Sequence, residues 1–165
     1  MKNSKGQAIP PKTIFLSPSA FEDNGNTAVY WLGEAGVLIN SRGTILMIDP
    51  VLSVIPASIL PGSALLSEVN ASPCLIEPPI RAAHVRRLDA VLYTHSDDDH
   101  MGVVTAPILR DTGCAYHATG ESAAKLQALG VPAARICVHP RQDCFTVGRV
   151  RVEMTLANHP WQKSD

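Results

Sequence analysis

A short loop rich in histidine and aspartate is the feature that most constrains this chain. Residues 94–100 read Thr-His-Ser-Asp-Asp-Asp-His and directly follow the apolar run of residues 88–93. Imidazole nitrogens and carboxylate oxygens are the ligands that zinc, manganese and iron accept. A tight loop that leaves a rigid strand can direct alternate side chains at one centre, so the pattern predicts a metal site.

The spacing within this loop separates two pairs of candidate ligands. His95 and Asp97 are two residues apart and would face the same way in an extended exit from the strand. Asp99 and His100 follow where the chain turns towards the next helix, and they could face a second centre. The other interpretation is a solvated acidic turn, in which Asp98 and Asp99 cap that helix as aspartate commonly does.

Length and charge balance indicate one ordinary globular domain. A chain of 165 residues is long enough to bury a core of its own. With 45% hydrophobic residues, 18% charged residues and a formal net charge of -1, it lacks the basic excess that nucleic-acid binding usually needs. We therefore expect a small-molecule partner and no nucleic acid.

The amino-terminal residues do not match the pattern of a signal peptide. Lys2 and Lys5 are followed by polar residues and two prolines where an apolar segment should lie, so we expect a cytoplasmic protein. Residues 51–60 are broken by serine and proline and fall short of the ~20 apolar residues that span a bilayer, so no membrane span is expected. The four cysteines have no motif spacing and are expected to be buried free thiols: Cys74, Cys114, Cys137 and Cys144.

The first half of the chain predicts an irregular arm followed by a sheet. Residues 1–26 are polar without a sustained period, and residues 27–165 form the predicted domain. Three runs rich in β-branched and aromatic residues predict a meander of antiparallel strands at residues 28–32, 36–40 and 44–49. Residues 51–80 then predict a long loop, a kind of segment that often serves as a lid or binding loop.

The second half alternates strands with helices. A short helix is expected to open at residues 78–81 and lead to the strand at 88–93, with a helix over residues 101–110 after the histidine-rich loop. The clearest helix is predicted at residues 120–130, where a terminating glycine follows recurrent alanine and leucine. Further strands are predicted at 114–118, 135–139 and 150–156. This alternation is typical of an α/β layered domain.

Several of these segments resemble, in order and spacing, the metallo-β-lactamase superfamily. They are residues 31–36 (Trp-Leu-Gly-Glu-Ala-Gly), residues 48–50 (Ile-Asp-Pro) and the strand with its loop at residues 88–100. The resemblance is strongest to the branch that includes ascorbate 6-phosphate lactonase and the N-acyl phosphatidylethanolamine phospholipase D enzymes. His159 stands where that branch has its next metal-binding histidine. The resemblance runs from about residue 27 onward and implies the first αβ half of a metallo-β-lactamase-like αβ/βα sandwich.

The resemblance also implies a set of metal ligands. The family loop usually reads His-x-His-x-Asp-His, so His95 and His159 would hold one metal, and Asp99 and His100 a second. Asp97 stands in place of the second histidine. A carboxylate there can still ligate, but it adds negative charge and hardness, which shifts the preference from zinc towards manganese or iron. The implied cofactor is a divalent metal, zinc or manganese, with one or two ions.

The resemblance leaves the completeness of the site open. The family fold has two similar halves, and the second half supplies a bridging aspartate and a final histidine, whereas this chain ends six residues after His159. The chain could be the amino-terminal portion of a longer protein, which we favour because the strand at residues 150–156 would otherwise lack cover. It could instead be a shortened member completed by water or a second subunit in a homo-oligomer, or a member without activity.

The implied activity is metal-assisted hydrolysis of a lactone, ester or phosphodiester by a metal-activated water. Asp99 is the predicted catalytic group that orients this water. Asp49 is either a partner that holds a ligand histidine in one tautomer or a simple strand-end turn. Glu34 is either a pocket residue or a solvated turn glutamate, and the histidines outside the motif are read as surface or satisfied core residues: His84, His117 and His139.

Two other functions remain open. A truncated or degenerate domain could serve as a non-catalytic binding or scaffold module. An iron-dependent dioxygenase or a sulfur-transfer enzyme of the same superfamily would need a single iron. The number of metal ions per chain separates the three possibilities: two support hydrolysis, one iron supports oxygen chemistry, and none supports a binding module.

Overall fold

The predicted antiparallel meander is confirmed. A computed structural model describes residues 12–52 and 77–157 of the chain. In it, β1 (Thr27–Gly33), β2 (Gly36–Ser41) and β3 (Thr44–Ile48) pair in antiparallel order. The β2–β3 turn has positive φ at Arg42 and Gly43, the conformation that lets a two-residue turn match the twist of its strands.

Three parallel strands extend this meander into a six-stranded sheet. They are β4 (Ala90–Tyr93), β5 (Ala115–Ala118) and β6 (Ile136–Val138), and the strand order is β1-β2-β3-β4-β5-β6. All four residues of β4 are buried, as expected of a central strand that is covered on both faces. The α/β prediction is therefore correct, and the end of β4 lies at the middle of the sheet.

The helices that join the parallel strands differ in length from their predicted forms. The helix α2 (Gly120–Ala128) lies where the sequence predicts it, and Thr119 caps its first turn by accepting a hydrogen bond from the backbone N–H of Ser122. The helix α1 covers only Thr105–Leu109, continued by a 3-10 turn over Arg110–Thr112, because residues 101–104 belong to turns of the preceding loop.

Residues 144–153 form a hairpin that the sequence predicts only in part. Strand β8 (Val150–Glu153) ends before residue 156, and it pairs with β7 (Cys144–Val147), a strand that was not predicted. Glycine is required at the turn: Gly148 has a φ of 53°, and a Cβ there would lie 2.7 Å from Oγ1 of Thr44. Strand β6 is also shorter than predicted, since a 3-10 turn (Ala133–Arg135) precedes it.

The sheet is covered on both faces. One face carries the larger core, in which α1 and α2 contribute Leu109 and Leu126 against strand residues such as Met47 and Val91. The other face is smaller, and there the β7–β8 hairpin packs its half-buried side over buried strand residues. The packing partners are Leu46, Ala90, Leu92 and Val147, with Phe145, Val150 and Val152 at their margin.

Part of the predicted irregular arm is packed against the core. A 3-10 turn (Pro18–Phe21) places Ala20 in the core, and the buried side chain of Asn40 donates hydrogen bonds to the backbone oxygens of Ala20 and Glu22, at 2.9 and 2.7 Å. Residues 1–11 of the arm and most of the predicted loop at residues 51–80 lie outside the described residues. In place of a helix opening at residues 78–81, a 3-10 turn covers Ala82–His84.

The expectation of buried thiols is correct for one cysteine and wrong for two. Cys114 is buried, whereas Cys137 and Cys144 are exposed because they lie on outward positions of β6 and β7. Cys74 lies outside the described residues. Within the described ranges, the structure contains no helix long and apolar enough to cross a bilayer.

Candidate metal centre

The histidine-rich loop leaves the carboxyl end of β4 beside the carboxyl end of β3. These two strands are parallel neighbours, with Ile48 opposite Leu92, so the residues that follow them meet at one edge of the sheet. Asp49 continues the ladder by donating its backbone N–H to the carbonyl oxygen of Leu92, at 2.9 Å. The sheet therefore places Asp49 directly under the loop at residues 94–100.

Asp49 is the buried support of this loop. Its carboxylate, 3% exposed as a residue, accepts the backbone N–H of Thr94 on Oδ1 at 2.8 Å and the Thr94 hydroxyl on Oδ2 at 2.6 Å. Oδ2 also lies 2.9 Å from Nδ1 of His100. Asp49 has a φ of 46°, a strained backbone region that structures retain where the surroundings impose it, often at functional sites.

These hydrogen bonds assign the tautomers of both loop histidines. The Thr94 hydroxyl has one proton, which it gives to Asp49, so its oxygen accepts from Nδ1–H of His95, 3.0 Å away. The carboxylate of Asp49 likewise accepts from Nδ1–H of His100. In their neutral forms, both imidazoles then have the lone pair on Nε2, the nitrogen that would bind a metal.

Three of the predicted ligands come together at this edge. The potential ligand atoms of His95, Asp99 and His100 all lie within 4.8 Å of one another, and the two imidazole rings have centroids 3.9 Å apart. Nε2 of His100 is 3.8 Å from Oδ2 of Asp99. A set of two imidazoles and one carboxylate suits zinc, manganese and iron, so the residues present fit a divalent metal.

Two further residues, Asp97 and His159, are predicted as ligands. Asp97 is not one of the three residues that come together at this edge, although its Oδ2 lies 3.6 Å from Nε2 of His95. His159 lies outside the described residues. The loop reverses at Asp97, whose carbonyl oxygen accepts the backbone N–H groups of His100 and Met101 at 3.0 and 2.7 Å. That reversal brings His100 back towards His95.

The acidic-turn alternative is wrong in one respect, since neither Asp98 nor Asp99 caps the following helix. The helix α1 begins at Thr105 with Val104 at its N-cap and no side-chain capping hydrogen bond. Asp98 instead pairs with Lys125 on α2, with Nζ 2.7 Å from Oδ1. Asp99 belongs to the candidate metal group.

The helix α2 fastens the loop through contacts that sequence reasoning did not find. Besides its ion pair with Asp98, Lys125 donates a hydrogen bond to the carbonyl oxygen of Ser96. The hydroxyl of Ser96 donates to Oε1 of Glu121, at 3.1 Å. These partners lie 25 to 29 residues apart along the chain, and no local pattern marks them. The loop is therefore held by two groups of contacts, one with Asp49 and one with α2.

Glu34 lies in the turn between β1 and β2 with a φ of 47°, and its carbonyl oxygen accepts the indole N–H of Trp31 at 2.9 Å. Its side chain is exposed, which agrees with the interpretation of a solvated turn glutamate.

A separate histidine pair lies between the sheet and the hairpin. Nδ1 of His117 is 2.8 Å from Nε2 of His139, Nδ1 of His139 is 2.7 Å from Oδ2 of Asp143, and Phe145 stacks on both rings. Burial, together with the neighbouring His139, lowers the pKa of His117 to about 4. The hydrogen bond from His139 lowers the pKa of Asp143. The prediction that these histidines are satisfied structural residues is confirmed.

Comparison with known proteins agrees with this geometry. Residues 29–106 match the model of the Metallo-beta-lactamase superfamily, and this match contains most of β1, all of β2 to β4 and the candidate metal loop. Over 157 residues the chain is 29% identical to a protein of Myxococcus xanthus named UPF0173 metal-dependent hydrolase. The alignment covers 94% of this chain and 47% of the relative, so the chain spans about half the length of the curated relative that it matches.

Two solved structures share the fold at low identity. One is CmlA, a diiron beta-hydroxylase from Streptomyces venezuelae, with a TM-score of 0.53 and 22% identity over 78% of this chain and 23% of its own. The other is the isothiocyanate hydrolase from Delia radicum gut bacteria, with a TM-score of 0.53 and 20% identity over 73% of this chain and 44% of its own. The sequence match over residues 29–106 and the order of the elements agree with the resemblance to the amino-terminal part of a metallo-β-lactamase-like domain, and the two solved structures share its fold.

Proposed function

We propose that this chain supplies the first metal-binding half of a hydrolase that cleaves a lactone, ester or phosphodiester with a metal-activated water. The observation that carries the proposal is the convergence of His95, Asp99 and His100 within 4.8 Å, with His100 tied through Nδ1 to the buried Asp49. An ordinary acidic surface turn has no need of a buried carboxylate that orients a histidine.

His95, Asp99 and His100 are the proposed metal ligands, with Asp97 and His159 as further candidates. A bound divalent metal lowers the pKa of a coordinated water towards neutrality and polarises the oxygen that gains charge in the reaction. With the carboxylates of Asp97 and Asp99, the site offers harder ligand atoms, in the sense of hard and soft ligands, than a site of histidines alone. For this reason we propose manganese or zinc, in one or two ions, with manganese favoured.

The residues around the site have distinct proposed roles. Asp49 and Thr94 orient the two histidines so that their Nε2 lone pairs are available, and the rings would not need to reorient when a metal ion binds. Asp99 is the proposed catalytic residue: its side chain is 70% exposed, and its carboxylate can accept a proton from the attacking water and orient it. The proposal also includes a small-molecule substrate, a cytoplasmic location and the option of a homo-oligomer.

Metal content is the first test. The purified chain and its His95→Ala, His100→Ala double variant are dialysed against manganese or zinc and compared by elemental analysis, with His84→Ala as a control for loss of an exposed histidine. We expect metal in the parent and in the control, and loss in the double variant. Equal metal content in parent and double variant would refute the proposed ligands.

Hydrolysis is the second test. The metal-loaded chain is assayed with a lactone, a carboxylic ester and an activated phosphodiester, beside Asp99→Asn. Turnover in the parent that falls by about a hundredfold or more in Asp99→Asn supports its role. A chain that retains metal but hydrolyses none of the three substrates would refute hydrolysis by this half alone and leave only its metal-binding role.

A further inference from the structure

A cavity of about 660 Å³ lies between the amino-terminal arm and the segment that leads into β4. Its walls come from residues 15–21 and residues 77–87. Two hydrogen bonds hold these walls together: the Thr13 hydroxyl donates to the carbonyl oxygen of Glu77 at 2.7 Å, and the backbone N–H of Leu16 donates to that of Pro79 at 2.9 Å. The cavity therefore has defined walls, and its volume is typical of small-molecule sites.

The cavity is remote from the metal loop. It precedes β4, whereas the metal loop follows that strand, so the two lie towards opposite ends of the same strand. A contact of Arg87, which lines the cavity, supports this placement. Its side chain donates a hydrogen bond to the carbonyl oxygen of Gly43, at 2.5 Å, in the turn that precedes β3, and β3 runs parallel to β4. A ligand in this cavity would not contact His95, Asp99 or His100.

The lining combines an apolar floor with a cationic rim. Half-buried apolar side chains form the floor, and Phe15, which is 60% exposed, stands open to solvent beside them. The apolar lining residues are Phe15, Leu16, Pro18, Phe21, Pro79 and Ile80. The rim carries three arginines and one histidine against a single acidic residue, although the whole chain has a net charge of -1: Arg81, His84, Arg86 and Arg87, with Glu77.

One cation of the rim is uncommitted within the described part of the chain. Arg81 is paired with Glu77, with Nη2 2.9 Å from Oε1, and Arg87 bonds the β2–β3 turn and lies 3.9 Å from Asp89. Arg86 has neither an ion pair nor a hydrogen bond to any described residue, and its side chain is exposed. Its guanidinium is thus available to an anionic group placed at the mouth of the cavity.

We propose that this cavity is a binding site for an amphiphilic anion, a single molecule with an apolar acyl chain and a carboxylate head. The acyl chain of the ligand would lie on the apolar floor and cover Phe15. Its carboxylate would pair with the guanidinium of Arg86 at the rim. The positive charge of the rim favours an anionic head group. The apolar floor favours a ligand with an acyl chain over a compact anion such as acetate.

The test is isothermal titration of the full chain with decanoate below its micelle concentration. Decyltrimethylammonium has an alkyl tail of similar length with the opposite charge, and hexanoate has the same carboxylate head with a shorter alkyl tail. We expect saturable binding of one decanoate per chain, weaker binding of hexanoate by about tenfold or more, and no saturable binding of the cation.

Two pairs of variants assign the binding to this cavity. Arg86→Gln should weaken decanoate binding about fivefold, whereas Arg149→Gln, which removes an exposed arginine elsewhere, should not. Phe15→Ser should also weaken it, whereas Val29→Ser, at a residue 65% exposed on β1, should not. All four positions are exposed, and circular dichroism checks that each variant stays folded.

Several results would overturn the proposal. They are the absence of saturable decanoate binding, equal affinity for the cation, and equal losses in Arg86→Gln and Arg149→Gln. Sedimentation with phosphatidylglycerol vesicles in a chain that does not bind free decanoate would instead assign the basic rim to a lipid surface. None of these outcomes depends on metal binding or hydrolysis, so the proposal stands or falls separately from the proposed function.

Discussion

Replacement of Asp49 by asparagine tests whether the buried carboxylate orients the histidines of the metal loop. The amide has nearly the same shape as the carboxylate, and asparagine tolerates the left-handed φ of 46° at this position. Its oxygen can still accept the backbone N–H of Thr94, now 2.8 Å from Oδ1. Its amino group, however, faces the Thr94 hydroxyl and Nδ1 of His100, where Oδ2 now accepts from both.

The expected effect follows from the proton that His100 carries. An amino group can only donate, so it favours His100 with its lone pair on Nδ1 and its proton on Nε2, which is the nitrogen proposed to bind metal. Loss of such an orienting partner typically lowers metal affinity by about 10- to 100-fold. Because the carboxylate is buried and two of its three hydrogen bonds are lost or reversed, we also expect the free energy of unfolding to fall by about 2 kcal/mol.

The assay is titration of manganese and of zinc into the parent and Asp49→Asn, together with urea unfolding of the metal-free chains. Asp111→Asn is the matched control, since that side chain is 78% exposed and lies outside the loop. Metal affinity in Asp49→Asn within about twofold of the parent would refute the argument from tautomers. A loss of stability with unchanged metal affinity would leave Asp49 as a structural residue only.

Three further predictions follow from other contacts. Lys125→Met, which removes the ion pair with Asp98, should lower metal affinity about threefold to tenfold and stability by about 1 kcal/mol; unchanged titrations would show that α2 does not fasten the loop. The pKa of His117, lowered to about 4 by burial and by His139, lies below its value of about 6.5 in the unfolded chain. The unfolded state therefore gains the proton first, and urea unfolding should show stability falling as the pH drops from about 6.5 towards 4. The loss should be roughly 1.5 kcal/mol once the partial exposure of His117 is allowed for, and His117→Gln should abolish this pH dependence. The hydroxyl of Tyr93 is buried and has no hydrogen-bond partner among the described residues, so Tyr93→Phe should raise the free energy of unfolding by about 1 kcal/mol; a clear decrease would mean that a partner exists.

Local patterns in the sequence were sufficient for the elements whose residues interact with near neighbours. Strands β1 and β2 alternate in burial along most of their length, β3 is a short apolar run, and turns of a few residues join the three, so local patterns predict them. The helix α2 has a cap at Thr119 and a glycine beyond its end at Gly130, both of which are visible in the sequence. Helix α1, a little over one turn long, was predicted with the wrong bounds, and strand β7 was not predicted.

The sequence by itself determined which ligand types stand in the loop, because two imidazoles and three carboxylates within residues 95–100 need no folded partner to be recognised. Only the tertiary structure decided how these groups are used. Asp49 and His100 are 51 residues apart, and Asp98 and Lys125 are 27 apart; the parallel pairing of β3 with β4 and the packing of α2 bring them together. The same holds for His117 and His139, which meet across neighbouring strands. Ligand identity is a property of single residues, whereas tautomer, orientation and support are properties of contacts between residues distant in the chain.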